Sequence, residues 1–130
     1  MNQLNIFDEV LHECCSDPLT GFFRDGFCNT NEYDQGLHIV CCLIDDKFLQ
    51  FSFDQGNDLV TPRPELNFPG LKKGDSWCVC ALRWKEAYEN GCAPKIYLRR
   101  TNKKVLQLVD LNILKAVSYT HLTLPTKRIV

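Results

Sequence analysis

The sequence lacks both a long apolar run and a basic leader. Its longest near-apolar run, residues 37–44, is far shorter than the roughly 20 residues that a membrane-spanning helix needs. The N-terminus carries Asp8, Glu9 and Glu13 where a secretory signal would have basic residues followed by an apolar stretch. We therefore expect no membrane partner and no secretion.

The sequence also lacks an excess of charge of either sign. Fifteen Lys and Arg residues stand against sixteen Asp and Glu residues, which gives a formal net charge of −1, and the cations occur in groups of at most two. A surface of this kind has no field that attracts phosphate backbones. We expect a small molecule or another protein as partner, and no nucleic acid.

The rest of the composition is typical of a globular domain, with 45% hydrophobic and 24% charged residues in a chain of 130. A domain of this size does not need a metal or a disulfide in order to fold. Any cofactor must therefore be argued from its ligands, and the sequence predicts none.

Cysteine is the exception to this ordinary composition, because the chain has eight. Two pairs are adjacent in sequence, and Cys78 and Cys80 on an extended strand would lie near the outer limit for a disulfide. With no secretion signal visible, these features predict reduced thiols and a cytoplasmic location.

Hydrophobic patterns and turn residues predict a small two-layer α+β domain, with a mixed β-sheet, helices on one face and a long ordered N-terminal loop region. The predicted strands span residues 37–44, 76–82 and 95–101, with a further extended segment at 105–109. The predicted helices span residues 45–55, about 84–91 and 110–115. The first of these segments also alternates as a strand would, and we favour a helix because Asp45 can cap it and Gly56 can end it.

We expect one domain over residues 1–116. Residues 117–130 are predicted to be a non-native or disordered tail, because residues 118–126 resemble adapter-derived read-through at the end of an assembled fragment.

Four motifs follow one another in a distinctive order: PLTGFFRDG at residues 18–26, GNDL at 56–59, FPGLK at 68–72 and GDSWCVCALRW at 74–84. Over about residues 5–115 the chain resembles the bacterial family called Domain of Unknown Function 2237. The resemblance implies a two-layer α/β fold and no established activity. The chain departs from the family at Phe27, where a second cysteine is common before Cys28, and at Asn102, where a histidine is common.

Two kinds of site compete. The first is a polar ligand pocket in which arginines clamp a carboxylate or phosphate, beside turns where binding residues concentrate. Its candidate residues are Arg24, Asp25, His38, Asn57, Asp58 and Arg83. The same residues also have a structural interpretation, because aspartates cap turns and arginines pair with carboxylates within a fold.

The alternative is a metal- or thiol-dependent enzyme that uses Cys28, Cys78 and Cys80, since thiolates bind soft metals and act as nucleophiles. The sequence has no Cys-x-x-Cys motif, and His38 and Cys41 are expected on opposite faces of a regular strand. Buried cysteines also pack as small hydrophobic residues. Whether the chain is an enzyme stays open at this point.

Overall fold

A three-stranded sheet forms the centre of the computed structural model, which describes residues 3–119. The strands are β1 (His38–Leu43), β2 (Ser76–Cys80) and β3 (Lys95–Ile96), in the order β2-β1-β3. Both neighbours pair antiparallel with β1, so the sheet is antiparallel, whereas a mixed sheet was predicted. The continuous apolar run of β1 fits its central position, where strands are covered on both faces.

Within residues 3–119, three α-helices accompany the sheet: α1 (Asp46–Asp54), α2 (Ala81–Glu89) and α3 (Leu111–Ala116). Helix α1 begins where predicted, because the Asp45 side chain accepts a hydrogen bond from the backbone N–H of Phe48 at 2.8 Å. Helix α2 packs against β1 and β2, and α1 packs against α2. The predicted α+β class is confirmed.

The chain from β2 through α2 to β3 forms a crossover connection. Strands β2 and β3 both run antiparallel to β1, so they run parallel to each other on either side of it. Between them, Trp84 on α2 is completely buried, and its indole N–H donates to the backbone oxygen of Pro94 at 3.2 Å. Helix α2 therefore packs on the sheet and helps to bury the apolar core.

Two predictions about the C-terminal third are wrong. The strand predicted over residues 95–101 stops after two residues and continues as a 3₁₀ turn at Leu98–Arg100, and the segment at 105–109 lies in a 3₁₀ helix, Lys103–Gln107, and its exit. Beyond Ile96 the Tyr97 N–H still donates to the Cys41 carbonyl at 2.9 Å, but the Cys41 N–H donates to the Thr101 hydroxyl at 3.1 Å. A side chain thus replaces strand pairing at this position.

The N-terminal segment, residues 3–37, contains turns and isolated bridges but no helix or regular strand. It is attached to the sheet by buried polar groups. The Thr20 hydroxyl accepts the Cys78 N–H at 2.8 Å, and the Asn102 amide donates to Gln3 and to the backbone oxygen of Cys28. Asn102 therefore has structural contacts in this chain.

The described residues end three positions beyond the predicted domain. The Ile96 N–H donates a hydrogen bond to the Val117 carbonyl at 3.1 Å, and the Tyr119 N–H donates to the Ile96 carbonyl at 2.7 Å. Residues 117–119 therefore contact β3. The boundary at residue 116 stays a prediction, and residues 120–130 of the predicted tail lie outside the described residues. Within residues 3–119, no helix has the length and apolar character to cross a membrane.

Candidate functional site

A cavity of about 400 Å³ lies beside the edge strand β2. The N-terminal segment, β2 and the loop after α1 all contribute to its wall. Among its lining residues are six that the sequence analysis selected: Arg24, His38, Asn57, Asp58, Cys78 and Cys80. Both competing sites thus have members in one cavity.

Arg24 reaches this cavity from a tight turn that depends on Gly21. A Cβ atom at Gly21 would lie 2.3 Å from the backbone oxygen of Phe27, and its φ of +100° is a conformation that side chains rarely adopt. The Arg24 guanidinium donates to the Gly21 carbonyl at 3.1 Å and lies 5.2 Å from the centroid of the Trp77 ring. The turn therefore holds this cation over β2.

Asp25 has a different position from its neighbour. Its carboxylate accepts hydrogen bonds from the backbone N–H of Phe27 and the Asn29 amide, each at 3.0 Å, and it does not line the cavity. Its contacts are those of a turn cap.

Asp58 combines a turn-capping role with a place in the cavity wall. Its Oδ1 accepts the backbone N–H of Val60 at 2.9 Å and of Thr61 at 3.0 Å. Hydrogen bonds from the Thr61 side chain, and then from these backbone groups, lower the pKa of Asp58 from its ordinary value. This carboxylate is therefore negative at neutral pH.

Arg83 is the other candidate of the predicted polar pocket that lies away from the cavity. It bridges two helices, since its guanidinium donates to the Gln55 carbonyl at 3.3 Å and pairs with Glu86 at 3.4 Å. Arg63, which the sequence analysis did not select, lines the cavity instead. An exposed arginine between two prolines has no spacing that would identify it.

His38 lies at the irregular end of β1. The strand register shifts between His38 and Val40, and this brings His38 opposite Cys80 on β2. The expectation that His38 and Cys41 occupy opposite faces assumed regular alternation, which a bulge interrupts.

A buried carboxylate orients the His38 ring. The Nδ1 atom lies 2.7 Å from Oδ1 of Asp34, while the other Asp34 oxygen accepts from the Thr30 hydroxyl and the His38 N–H, each at 2.9 Å. Asp34 is completely buried, whereas 43% of the His38 side chain is exposed. Asp34 was not among the residues predicted from the sequence. Its position four residues before His38 was the signal that could have identified it.

The prediction of reduced thiols is wrong for four of the eight cysteines. Disulfides join Cys14 to Cys41 and Cys28 to Cys78, with Cα atoms 5.7 and 5.4 Å apart. Of the three predicted reactive or metal-binding cysteines, Cys80 alone has a free thiol in this structure. The disulfides also weaken the thiol argument for a cytoplasmic location, which stays a prediction.

The unpaired thiols differ in their surroundings. Cys42 is completely buried in the core, and desolvation, followed by the charge of Asp45, raises the pKa of its thiol well above the ordinary value. Cys15, Cys80 and Cys92 are partly exposed. Cys42 is therefore a neutral packing group, whereas Cys80 faces a cavity.

The disulfide-bonded cysteines converge in a second apolar cluster, which includes Cys28 and Cys78 of the predicted thiol site. The sulfur atoms of Cys14, Cys28 and Cys78 all lie within 4.8 Å of one another. Cys41 is bonded to Cys14, and all four side chains are buried. No local spacing identifies these four positions, which are separated by 14, 13 and 37 residues in the chain.

Comparison with known proteins gives a family and no described activity. A family model described as "Uncharacterized protein conserved in bacteria (DUF2237)" matches residues 4–118. No curated protein matches the sequence significantly. Function must therefore be argued from the site.

Proposed function

The chain belongs to the uncharacterised bacterial family DUF2237, and from this premise we propose that it binds a small anionic molecule in the cavity beside β2. The observation that carries the proposal is the meeting of Arg24, His38, Asn57 and Asp58 in one wall. Cavities of a few hundred Å³ with a few convergent polar groups are the usual form of small-molecule sites.

The charges of the cavity support an anion. Arg24 and Arg63 supply two permanent cations, against the single carboxylate of Asp58. Guanidinium groups bind carboxylates and phosphates with two parallel hydrogen bonds. Arg24 is also held in place by its contacts with Gly21 and Trp77, so less side-chain freedom is lost when a ligand binds.

Asp58 and Asn57 suggest what accompanies the anionic group. The Asp58 carboxylate accepts hydrogen bonds and the Asn57 amide both donates and accepts them. A ligand that places a hydroxyl or an amine a few bonds from its carboxylate or phosphate would satisfy both the cations and the hydrogen-bonding groups of the cavity. We therefore propose hydroxy acids, amino acids and small phosphate esters as the ligand class.

The test is titration of the ¹⁵N-labelled full chain with inorganic phosphate, succinate and malate, followed by amide chemical shifts. We expect saturable shifts around Arg24, Asn57 and Cys80, and roughly tenfold weaker binding in Arg63→Gln, which loses one charged hydrogen-bonding group. Arg83→Gln is the matched control, because Arg83 lies outside the cavity.

Two results would contradict the proposal. One is the absence of saturable shifts with any of the three anions in the millimolar range. The other is an equal loss in Arg63→Gln and Arg83→Gln, which would indicate a general charge effect.

A second candidate function, thiol chemistry in the same cavity, is favoured by the position of Cys80 opposite His38. A nucleophilic cysteine needs a base nearby and a third group that orients the base. In this proposal His38 would be the base, and the buried Asp34, whose carboxylate contacts the ring, would orient it. Cys80 also directly precedes α2, and a helix N-terminus stabilises negative charge.

Iodoacetamide tests this candidate by mass spectrometry. The Cys80 proton would pass to His38 while sulfur bonds to the acetamide carbon and iodide leaves. We expect Cys80 to be alkylated faster than the partly exposed Cys92, and His38→Asn to remove the difference. Equal rates for the two thiols in the unmodified chain would exclude an activated Cys80.

Location and partners are part of the same proposal. We propose a cytoplasmic protein with a small-molecule or protein partner, supported by the net charge of −1 and the four unpaired cysteines. The two disulfides count against a reducing compartment. Thiol trapping in intact cells, with the disulfides found oxidised, would reject the cytoplasm.

A further inference from the structure

Four buried sulfur atoms that form two neighbouring disulfides become four neighbouring thiols when the chain is reduced. Cys41 and Cys78 are cross-strand partners on β1 and β2, whereas Cys14 and Cys28 come from the N-terminal segment. We call these four residues the four-cysteine cluster. Two of its members are thus fixed by the sheet, and two arrive on a segment without regular structure.

The spacing of the cluster suits a metal ion. Zinc holds four thiolates at about 2.3 Å, which for a tetrahedron places sulfur atoms about 3.8 Å apart. The sulfurs of Cys14, Cys28 and Cys78 already lie within 4.8 Å of one another, and Cys41 is bonded to the first of them. To form such a tetrahedron, the two bonded pairs of sulfur atoms must separate to about 3.8 Å.

The surroundings restrict the kind of ion. Leu11, Phe27 and Tyr97 pack around the cluster, whose four side chains are at most 4% exposed. A site of sulfur ligands in apolar surroundings selects zinc and other soft cations over magnesium or calcium, which prefer oxygen. The disulfides exclude the metal, so the two states cannot coexist.

We propose that the reduced chain binds one thiophilic divalent cation, zinc in the first place, through the thiolates of the four-cysteine cluster. The cluster shares Cys78 with the wall of the cavity, but the metal proposal does not depend on anion binding. It adds Cys14 and Cys41 to the predicted metal-binding residues and replaces Cys80.

The conversion between the two states balances with a phosphine as reductant. Each phosphine takes oxygen from one water molecule and converts one disulfide to two thiols, so two phosphines reduce the cluster. The four thiols then bind the divalent ion with loss of up to four protons to solvent.

The experiment uses the full chain, reduced anaerobically with a phosphine and titrated with Co²⁺ and then Zn²⁺. We expect the absorption of tetrahedral, tetrathiolate cobalt, its displacement by zinc, and one zinc per chain by elemental analysis. Cys14→Ser and Cys41→Ser should each weaken binding at least roughly tenfold. Cys15→Ser and Cys92→Ser are matched controls that keep the cluster intact and should leave binding unchanged.

Near-UV circular dichroism covers the case in which the reduced chain loses its fold. Recovery of the native signal on zinc addition would support the proposal, because metal binding and folding are then coupled. The proposal is overturned if the reduced chain takes up no cobalt or zinc, if the cobalt is octahedral, or if Cys80→Ser abolishes binding while Cys14→Ser does not. None of these results bears on anion binding by the oxidised chain, so the two proposals fail separately.

Discussion

The N-terminal segment and the sheet-and-helix region are stabilised by different forces. Residues 38–117 bury an apolar core that includes Phe48, Trp84 and Leu114. Residues 3–37 have few buried apolar side chains and are held by two disulfides and by hydrogen bonds such as that of Thr20. The candidate cavity lies where the two regions meet, so its geometry depends on both kinds of interaction.

This difference indicates how the molecule should fail. Apolar burial is distributed over many contacts, whereas a cross-link or a buried hydrogen bond is a single interaction. Damage to the core should unfold the whole domain. Damage to the links should release the N-terminal segment and open the cavity while the sheet persists.

The largest expected effect is in the core, with Trp84→Ala. The change removes a completely buried ring and leaves the Pro94 carbonyl without its donor, at a cost of about 3–5 kcal/mol. We expect cooperative loss of structure in both regions, measured by urea unfolding. Leu82→Ala on the same helix is the control, because Leu82 is 58% exposed and should change stability by less than about 0.5 kcal/mol. A loss of about 3–5 kcal/mol of stability in Leu82→Ala would contradict the exposed position of Leu82 on α2.

The next largest effect on stability is expected from removal of a disulfide. Unfolding is measured with a chelator present, so that metal binding to the remaining cysteines does not alter the stability. Loops of 27 and 50 residues are closed by the Cys14–Cys41 and Cys28–Cys78 bonds. Loop-closure entropy predicts about 3–4 kcal/mol for each, with the Cys28→Ala/Cys78→Ala pair costlier by about 0.5 kcal/mol.

Hydrogen exchange separates the two regions in these variants. We expect amides of residues 3–37 to lose protection while those of β1 and α2 keep it. A uniform loss of amide protection over the whole chain would show that the two regions unfold as one unit, and it would contradict the difference in stabilisation described above.

A smaller effect is expected from the polar link at Thr20. Thr20→Val keeps the volume but removes the acceptor of the buried Cys78 N–H, which costs about 1–3 kcal/mol. Thr20→Ser keeps the acceptor and loses one methyl group, worth about 0.8 kcal/mol. We expect Val to be the more damaging change by denaturant unfolding, and the reverse order would mean that packing dominates here.

The smallest expected effect is the titration of Asp58. Its pKa is lowered in the folded chain, so its contribution to stability is present above the ordinary value of 3.8 and is lost as the pH falls through the lower, folded value. Thr61→Val removes the first cause of the shift and should raise the pKa of Asp58 toward 3.8, measured by NMR of the side-chain carboxyl. An unchanged pKa would assign the shift to the backbone hydrogen bonds alone.

Local signals predicted the elements whose stability is local. The apolar run of β1 and the Asp45 cap of α1 located these elements correctly. Strand β3 was predicted too long, because alternation in the sequence does not reveal that the Thr101 side chain takes over pairing with β1.

The candidate site was predictable in the same partial way. Turn residues next to Arg24 and Asn57 selected two loops that do line one cavity. Arg83 and Asp25 came from the same type of signal and lie elsewhere, since a polar side chain near a turn binds within the fold as readily as it lines a cavity.

The α+β class, the family and the main secondary-structure elements could all be predicted from sequence. The secondary-structure elements were predictable because hydrophobic patterns, caps and turns depend on residues that are close in the chain. The tertiary structure alone decided that four cysteines spread over 65 residues meet, and that His38 lies opposite Cys80. Such pairings depend on the path of a loop across a sheet and on one register shift, and no periodic signal in the chain encodes either.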